Sequence, residues 1–283
     1  METIQALSQA IARSEKLHRK GKKIALVPTM GFFHEGHLAL MRRGREISDD
    51  LVISLFVNPT QFGPNEDYET YPRDTDRDLA LAETVGVDAV FIPSVDDMYP
   101  EGFQTYVDQT DLPKHLCGLN RPGHFRGVLT VVAKLFNIIR PDTALFGEKD
   151  YQQLAVIRQM VRDLNFNIDI IGVPTVREAD GLAMSSRNIH LAPKQREAAR
   201  SLYKALQSAQ ERLSKGENRA DRLIRAATDR IQQYRDASID YIKISDLQNL
   251  EDVCTIDRRV LMALAVKIGG TRLIDHTILD PEA

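Results

Sequence analysis

The sequence predicts an α/β fold: a Rossmann-like, doubly wound parallel sheet with a second, smaller α+β domain. Three observations carry this. Short apolar runs alternate with helical patterns over the first two thirds of the chain, which is what a parallel sheet covered on both faces requires. The polar, glycine-bearing motifs fall where a strand hands over to a helix, and such sheets bind their ligands at the carboxyl ends of strands. After about residue 177 the rhythm changes to two long charged helical stretches and then three strand-like runs. The expected domains are residues 1–177 and 178–283.

The N-terminal stretch METIQALSQAIARSEKLHRKG reads as an amphipathic helix, with Ile4, Leu7 and Ile11 on one face and Gly21 as the stop. With Glu2 early and no sustained apolar core, it does not read as a signal peptide. KIALVPT (23–29) is the first strand, followed by a helix from about Glu35. LVISLFVN (51–58) leads into the loop NPTQFGPNEDYETYP, a helix at about 73–85 and the strand DAVFIPS (88–94). Residues 127–141 form a helix because their apolar positions recur at helical spacing and Pro141 stops it. TALFG (143–147), an amphipathic helix at 151–164 and a strand at 167–176 complete the sheet domain. Helices at about 193–213 and 217–235 and strands at 237–246, 259–270 and 271–279 make the second, with Gly269-Gly270 as a hairpin turn.

At 283 residues the chain has room for one large or two ordinary domains. Hydrophobic residues are 43%, enough for a buried core. Lys plus Arg is 37 and Asp plus Glu is 40, so the net charge of −3 gives no footprint for nucleic acid. The longest strongly apolar stretch, VLMALAV at 260–266, is too short to span a bilayer. Cys117 and Cys254 form no CxxC pair and read as buried, reduced thiols of a cytosolic protein.

Four polar clusters carry candidate chemistry. In MGFFHEGH (30–37), His34 and His37 are three apart on a fresh helix turn. A zinc helix would need the HExxH spacing instead. Free N–H groups and a partial positive charge at a helix N-terminus attract phosphate, and Gly31 and Gly36 allow close backbone approach. Capping or packing histidines are the alternative. Asn58 and Gln61, just past a strand, offer amides for a hydroxyl or carboxylate, or serve ordinary turn chemistry. In FGEKDYQQ (146–153), Gly147, Lys149 and Asp150 lie between strand and helix, with Gln153 on the helix's first turn. Lysine suits phosphate and aspartate suits a ribose hydroxyl, although a solvated loop has the same composition. In MSSRN (184–188), two hydroxyls and a guanidinium form an oxyanion grip or a cap for the helix starting near Pro193. Arg121, His124 and Arg126, before the helix at 127, are either a further anion site or a glycine-shaped turn with solvated charges. Taken together, these groups point to a phosphate-bearing ligand at successive strand ends.

In order, PTMGxxHEGH, NPTQFGPNEDYETYPR, RPGHFRGVLTVVAKLFNIIRPD, FGEKDYQQL and VPTVREADGLAMSSRN resemble the pantothenate synthetase (pantoate–β-alanine ligase) family from Lys23 to Asn188, with a weaker echo in TRLID. The HxGH and the late serine loop are shared with nucleotidyltransferases and class I aminoacyl-tRNA synthetases; NPxQF and GEKDYQQ are specific to the synthetase.

The resemblance implies a cytoplasmic homodimer, acting in the route to vitamin B5 and coenzyme A, that uses ATP and magnesium. It joins (R)-pantoate to β-alanine through a pantoyl-adenylate, releasing pyrophosphate and then AMP. It implies that Met30, Gly31, Phe32, Phe33, His34, Glu35, Gly36 and His37 hold ATP, with His34 and His37 on its phosphates and His37 as proton donor. Gly147, Glu148, Lys149 and Asp150 match the nucleotide loop, Val176 an adenine contact, and Met184, Ser185, Ser186 and Arg187 the mobile phosphate loop. Lys149, Ser185, Ser186 and Arg187 thereby join the catalytic set. Gln61 and Gln153 match the glutamines that bind pantoate, Gln61 also lying near the β-alanine site, and Asn58 is grouped with them. The match assigns no metal ligand; Asp78, in the variable stretch RDTDRD, is a minor candidate. Phe32-Phe33 and His276 depart from the family pattern. The rival readings are a nucleotidyltransferase with a stable nucleotidyl product and a non-catalytic nucleotide sensor.

Overall fold

A computed structural model describes residues 1–64 and 66–282. In chain order its elements are β1 (Glu2–Ile4), α1 (Leu7–Arg19), β2 (Ile24–Thr29), α2 (Glu35–Ile47), β3 (Asp50–Leu55), α3 (Thr75–Thr84), β4 (Ala89–Phe91), α4 (Val95–Met98), α5 (Leu116–Asn120) and α6 (His124–Ile139). They continue with β5 (Thr143–Gly147), α7 (Tyr151–Asp163), β6 (Asp169–Val173), α8 (Arg196–Ser214), α9 (Ala220–Ile231), β7 (Ala237–Ser245), β8 (Val260–Ile268) and β9 (Thr271–Leu279). The chain divides into two compact units. The first is Met1–Gln109, Arg121–Glu148 and Gln153–Pro174; the second is Thr110–Asn120, Lys149–Gln152 and Thr175–Ala283.

The first unit is a six-stranded sheet in the order β1-β4-β3-β2-β5-β6, parallel throughout. Ile24, Ala25, Leu26 and Val27 of β2 are all fully buried. A strand covered on both faces reads as a continuous apolar run, which is why KIALVPT shows no alternation. Helix α6 buries residues on nearly every side, from Phe125 to Ile139, and is correspondingly apolar all round.

The strand order reverses beside β2. The chain goes from β2 to β3 and β4 on one side and later to β5 and β6 on the other, so the switch point lies between β2 and β5. The β2–β3 ladder runs the whole strand, from Ile24–Asp50 to Thr29–Leu55. The β2–β5 ladder holds only Ala25–Thr143 and Leu26–Ala144. Pro28 has no N–H to extend it. Past Leu26 these two strands are therefore unladdered at their carboxyl ends, where a crevice for ligand is expected in an open sheet.

The second unit is an antiparallel sheet, β7-β8-β9, with α8 and α9. Val260, Met262, Leu264 and Val266 of β8 pack with Leu202, Leu206 and Leu223 of the helices. On the opposite face Leu261 and Ala263 meet Leu116 and Leu250. The longest apolar stretch of the sequence is thus a central strand buried on both sides.

Several expectations are corrected. Ile4 is not on the N-terminal helix: Glu2–Ile4 is an edge strand beside β4, and sheet pairing rather than helix packing buries Ile4. Helix α1 buries the small residues Ala10 and Ser14, whereas Ile11 is exposed. Cys117 is buried as expected, but Cys254 is exposed. The helix expected at 127–141 begins at His124, so His124 is on its first turn.

Candidate active site

At the end of β2 the chain makes a turn through two left-handed residues, Gly31 (φ 87°) and Phe32 (φ 55°). Phe33 is buried in the sheet's core, and Phe32 lies under the Arg77 guanidinium, 5.1 Å from the ring centroid. The departure at Phe32-Phe33 thus gives one ring to the core and the other to an arginine. The next residue, His34, is the N-cap of α2.

The two histidines cap this helix reciprocally. His34 Nδ1 accepts the Gly36 N–H at 3.1 Å, and His37 Nδ1 accepts the His34 N–H at 3.3 Å. Their ring centroids are 4.1 Å apart. An imidazole whose Nδ1 accepts a hydrogen bond carries its proton on Nε2. Each ring therefore carries its proton on Nε2, and the helix end itself favours anions. The capping reading of the motif is met through Nδ1 of both rings.

At the end of β3, Asn58 is 1% exposed and its amide is engaged on protein partners. It donates to Gln61 Oε1 at 3.0 Å and to the Gly127 carbonyl at 3.1 Å, and its oxygen accepts from the Thr60 and Tyr99 hydroxyls at 3.0 and 2.8 Å. Asn58 thereby fixes which way the Gln61 amide faces, and Gln61 Nε2 meets Met30 Sδ at 3.3 Å. Gly127 makes this packing possible: a Cβ there would lie 2.3 Å from the Thr60 carbonyl oxygen.

Arg121, His124 and Arg126 do not gather as an anion site. Arg121 donates to both oxygens of Glu66, at 2.7 and 2.6 Å, and lies 2.9 Å from His124 Nε2. His124 Nδ1 sits 2.8 Å from the Gln61 carbonyl, so the ring donates there and accepts from Arg121. Arg126 stacks over Tyr106, 3.9 Å from the ring centroid. Nearby carboxylate and ring partners, invisible in a local reading, take two of the three charges. Burial pushes the Glu66 carboxyl up, but the hydrogen bond and charge of Arg121 outweigh it and hold it below the ordinary value.

After β5, Gly147 leads into the turn Glu148–Asp150 and then α7. Of the two glutamines that follow, Gln152 is structural: it accepts from the Cys117 N–H at 2.9 Å and donates to the Leu112 and His115 carbonyls at 2.9 and 2.7 Å. Gln153 is half-buried, as is Lys149, while Asp150 is exposed.

In the second unit, Val176 and Met184 close a small hairpin, the Met184 N–H donating to the Val176 carbonyl at 3.0 Å. Its turn residue Gly181 has φ 92°, and a Cβ there would strike the Tyr203 ring. Arg177 forms a two-point pair with buried Asp275 at 2.7 and 2.9 Å and stacks on Tyr203. Arg196 holds Asp180, and Asn188 holds Glu178. Ser185 caps the short turn Ser186–His190, its Oγ accepting the Arg187 N–H at 3.3 Å. The cap serves this turn and not the later helix. The 177–183 hairpin is thus fastened at several points. Asp78, Gln152, Arg177 and Asp275 were not singled out as structural by sequence, because their partners are far away along the chain.

An open parallel sheet whose switch point is flanked by an imidazole-capped helix defines a nucleotide-binding α/β enzyme. The family model described as pantoate-beta-alanine ligase matches residues 1–278. The pantothenate synthetase of Desulfatibacillum aliphaticivorans is 58% identical over 99% of this chain and 100% of its own, and that of Acetivibrio thermocellus is 55% identical over 99% of each. Among solved structures, the pantothenate synthetase of Thermus thermophilus superposes with a TM-score of 0.93 at 43% identity, covering 99% of this chain and 100% of that one. The pantoate-β-alanine ligase of Francisella tularensis, complexed with beta-gamma ATP and β-alanine, gives 0.82 at 35% identity, covering 100% and 98%. The chain belongs to the pantoate–β-alanine ligase family, and its activity is the ATP-dependent joining of pantoate to β-alanine to form pantothenate.

Proposed function

We propose that the reaction runs on the following groups. A free carboxylate is a poor acyl donor because its leaving group would be oxide. Attack of a pantoate carboxylate oxygen on the α-phosphorus of ATP expels pyrophosphate and leaves a pantoyl-adenylate. The β-alanine amine then attacks the acyl carbon, loses a proton and expels AMP. Negative charge builds on the phosphates in the first step, so donors fixed there stabilise the transition state more than the ground state.

The Nε2–H groups of His34 and His37 and the N-terminus of α2 are such donors, with His37 the proton donor. Lys149, Ser185, Ser186 and Arg187 act on the same triphosphate. Met30 to Gly36, Gly147, Glu148, Asp150, Val176 and Met184 hold the nucleotide. Gln61 and Gln153 read pantoate, and Asn58 aligns Gln61. A pocket that hydrogen-bonds pantoate's hydroxyls penalises analogues lacking them, because its amides are then left unmatched. Closure of Met184–Arg187 keeps water from the mixed anhydride.

Magnesium bound with ATP would supply positive charge against the phosphates, and no residue of this chain is assigned to hold it. Among the described residues no group of three or more His, Cys, Asp or Glu side chains gathers that could hold a metal ion. Asp78 is not offered to it, since both its oxygens are on backbone N–H groups. The ligands of the Francisella relative support ATP and β-alanine as substrates here. No helix among the described residues is long and apolar enough to cross a membrane. A cytoplasmic homodimer follows the family resemblance, and sedimentation velocity tests the dimer.

The observation that carries the residue assignment is the two-imidazole cap. The test of the pathway is product analysis with ATP and pantoate, with and without β-alanine. Pantoate alone should support pyrophosphate exchange, and free AMP should accumulate only when β-alanine is added. A retained nucleotidyl product, or ATP binding with no turnover, would contradict it.

A further inference from the structure

We propose that Arg77 and Asp78, successive residues on the first turn of α3, are positioning residues that lock the Gly31–Phe33 turn and so seat the His34–His37 cap. This rests on the phosphate role proposed for those histidines.

The turn needs holding. Left-handed backbone at a bulky residue such as Phe32 is strained and persists only where its surroundings impose it. The turn's first residues border open space. A cavity of about 270 Å³ lies against Met30 and Gly31, with Asp74 and Asp78 among its other walls.

What imposes it is α3. Asp78 is 1% exposed, and its two oxygens accept two successive amides: Phe32 N–H to Oδ2 at 2.6 Å and Phe33 N–H to Oδ1 at 2.7 Å. A carboxylate gripping two adjacent N–H groups fixes the peptide plane between them, and charge-assisted bonds of this kind are about twice as strong as neutral ones. Arg77 takes the other side. Its guanidinium donates to the Phe33 carbonyl at 3.0 Å and stacks on the Phe32 ring. Gly31 suits the same approach: it has φ 87°, and a Cβ there would stand a tight 3.0 Å from Asp78 Oδ2. Burial pushes the Asp78 carboxyl above its ordinary value despite both amide bonds, so keeping this charge inside works against stability. The next residue along the chain is the N-cap, so the peptide plane set by Asp78 sets the entry into α2. Phe32 and Arg77 form a pair in which the departure from the family pattern is matched to a stacking partner.

The test is steady-state kinetics and thermal unfolding of the full chain carrying Asp78→Asn, Arg77→Ala, His37→Ala, or Asp78→Asn with His37→Ala. Asparagine keeps one acceptor but turns an NH2 against the second amide. It should lower kcat/KM for ATP about 100-fold, the cost of misplacing a catalytic group by about an ångström, with KM for β-alanine unchanged. Arg77→Ala should give about tenfold. In the double variant the Asp78 effect should shrink to less than about threefold, because it acts through His37. Three results would overturn the proposal: ATP kinetics unchanged in folded Asp78→Asn, an Asp78 effect that multiplies undiminished onto His37→Ala, or an inert His37→Ala. The last would strike the histidine assignment itself, which separates it from the other two. Should Asp78→Asn not fold, Arg77→Ala with and without His37→Ala carries the same comparison, since the Arg77 side chain is 45% exposed and can be truncated without opening the core.

Discussion

His34 and His37 each use Nδ1 to satisfy a backbone N–H of the helix they open, at 3.1 and 3.3 Å. The same rings that stabilise the start of α2 thereby have their tautomers set for donation at Nε2. Under the phosphate role proposed above, capping and catalysis would share the same two rings, and substitutions at the two positions should separate them.

His34→Ala should lower the unfolding temperature, since losing a cap costs about 1 kcal/mol. It should also slow adenylate formation about 10²–10³-fold, the usual effect of removing one transition-state donor. His34→Ser restores a capping oxygen without restoring the imidazole. Calorimetry should show recovered stability and stopped assays no recovered rate. Recovery of both would mean that His34 is only a cap.

Gly127→Ala tests the seat of Gln61. The added methyl would meet the Thr60 carbonyl at 2.3 Å and the Gln61 Cα at 2.7 Å, so α6 and the Asn58–Gln61 turn must part. Overpacking of this kind costs about 1–3 kcal/mol. The expected kinetic signature is a raised KM for pantoate with KM for ATP near normal. A change confined to ATP would contradict the placing of Gln61.

The Glu66–Arg121 pair predicts a pH dependence. The folded-state value of Glu66 lies below its unfolded value. Its contribution is therefore present above the ordinary glutamate range and is lost as pH falls through the folded value. The gap in unfolding temperature between wild type and Glu66→Gln should be widest near neutral pH and close below about pH 4. A gap that stays constant, or widens in acid, would show that the pair is not what Glu66 contributes.

The fold was largely legible because its strands are continuous apolar runs and its helices have the right period. The N-terminus was misread because Ile4, Leu7 and Ile11 have helical spacing, while Ile4 is buried by pairing with β4. No local pattern reveals a three-residue edge strand. The histidine cap is legible in the sequence because it is contiguous: cap, helix end and glycines lie within a few residues. The sequence leaves Arg121 and Arg126 open between an anion site and solvated charges, because Glu66 and Tyr106 meet them only through folding. Asp78 looked like a metal candidate from charge alone. Its two amide partners lie more than forty residues upstream, at separations of 46 and 45. The short segments 110–120 and 149–152, grouped with the second unit, have no composition that marks them for it.

On the proposed reading, ammonium, imidazole and hydroxyl groups from distant segments act on one triphosphate. Pantoate-dependent ATP–pyrophosphate exchange in Lys149→Ala is the sharpest check of this, because exchange reports adenylate formation without β-alanine. Exchange should fall at least about 100-fold while the unfolding temperature stays near wild type. A folded Lys149→Ala enzyme that exchanges pyrophosphate at close to the normal rate would contradict the account.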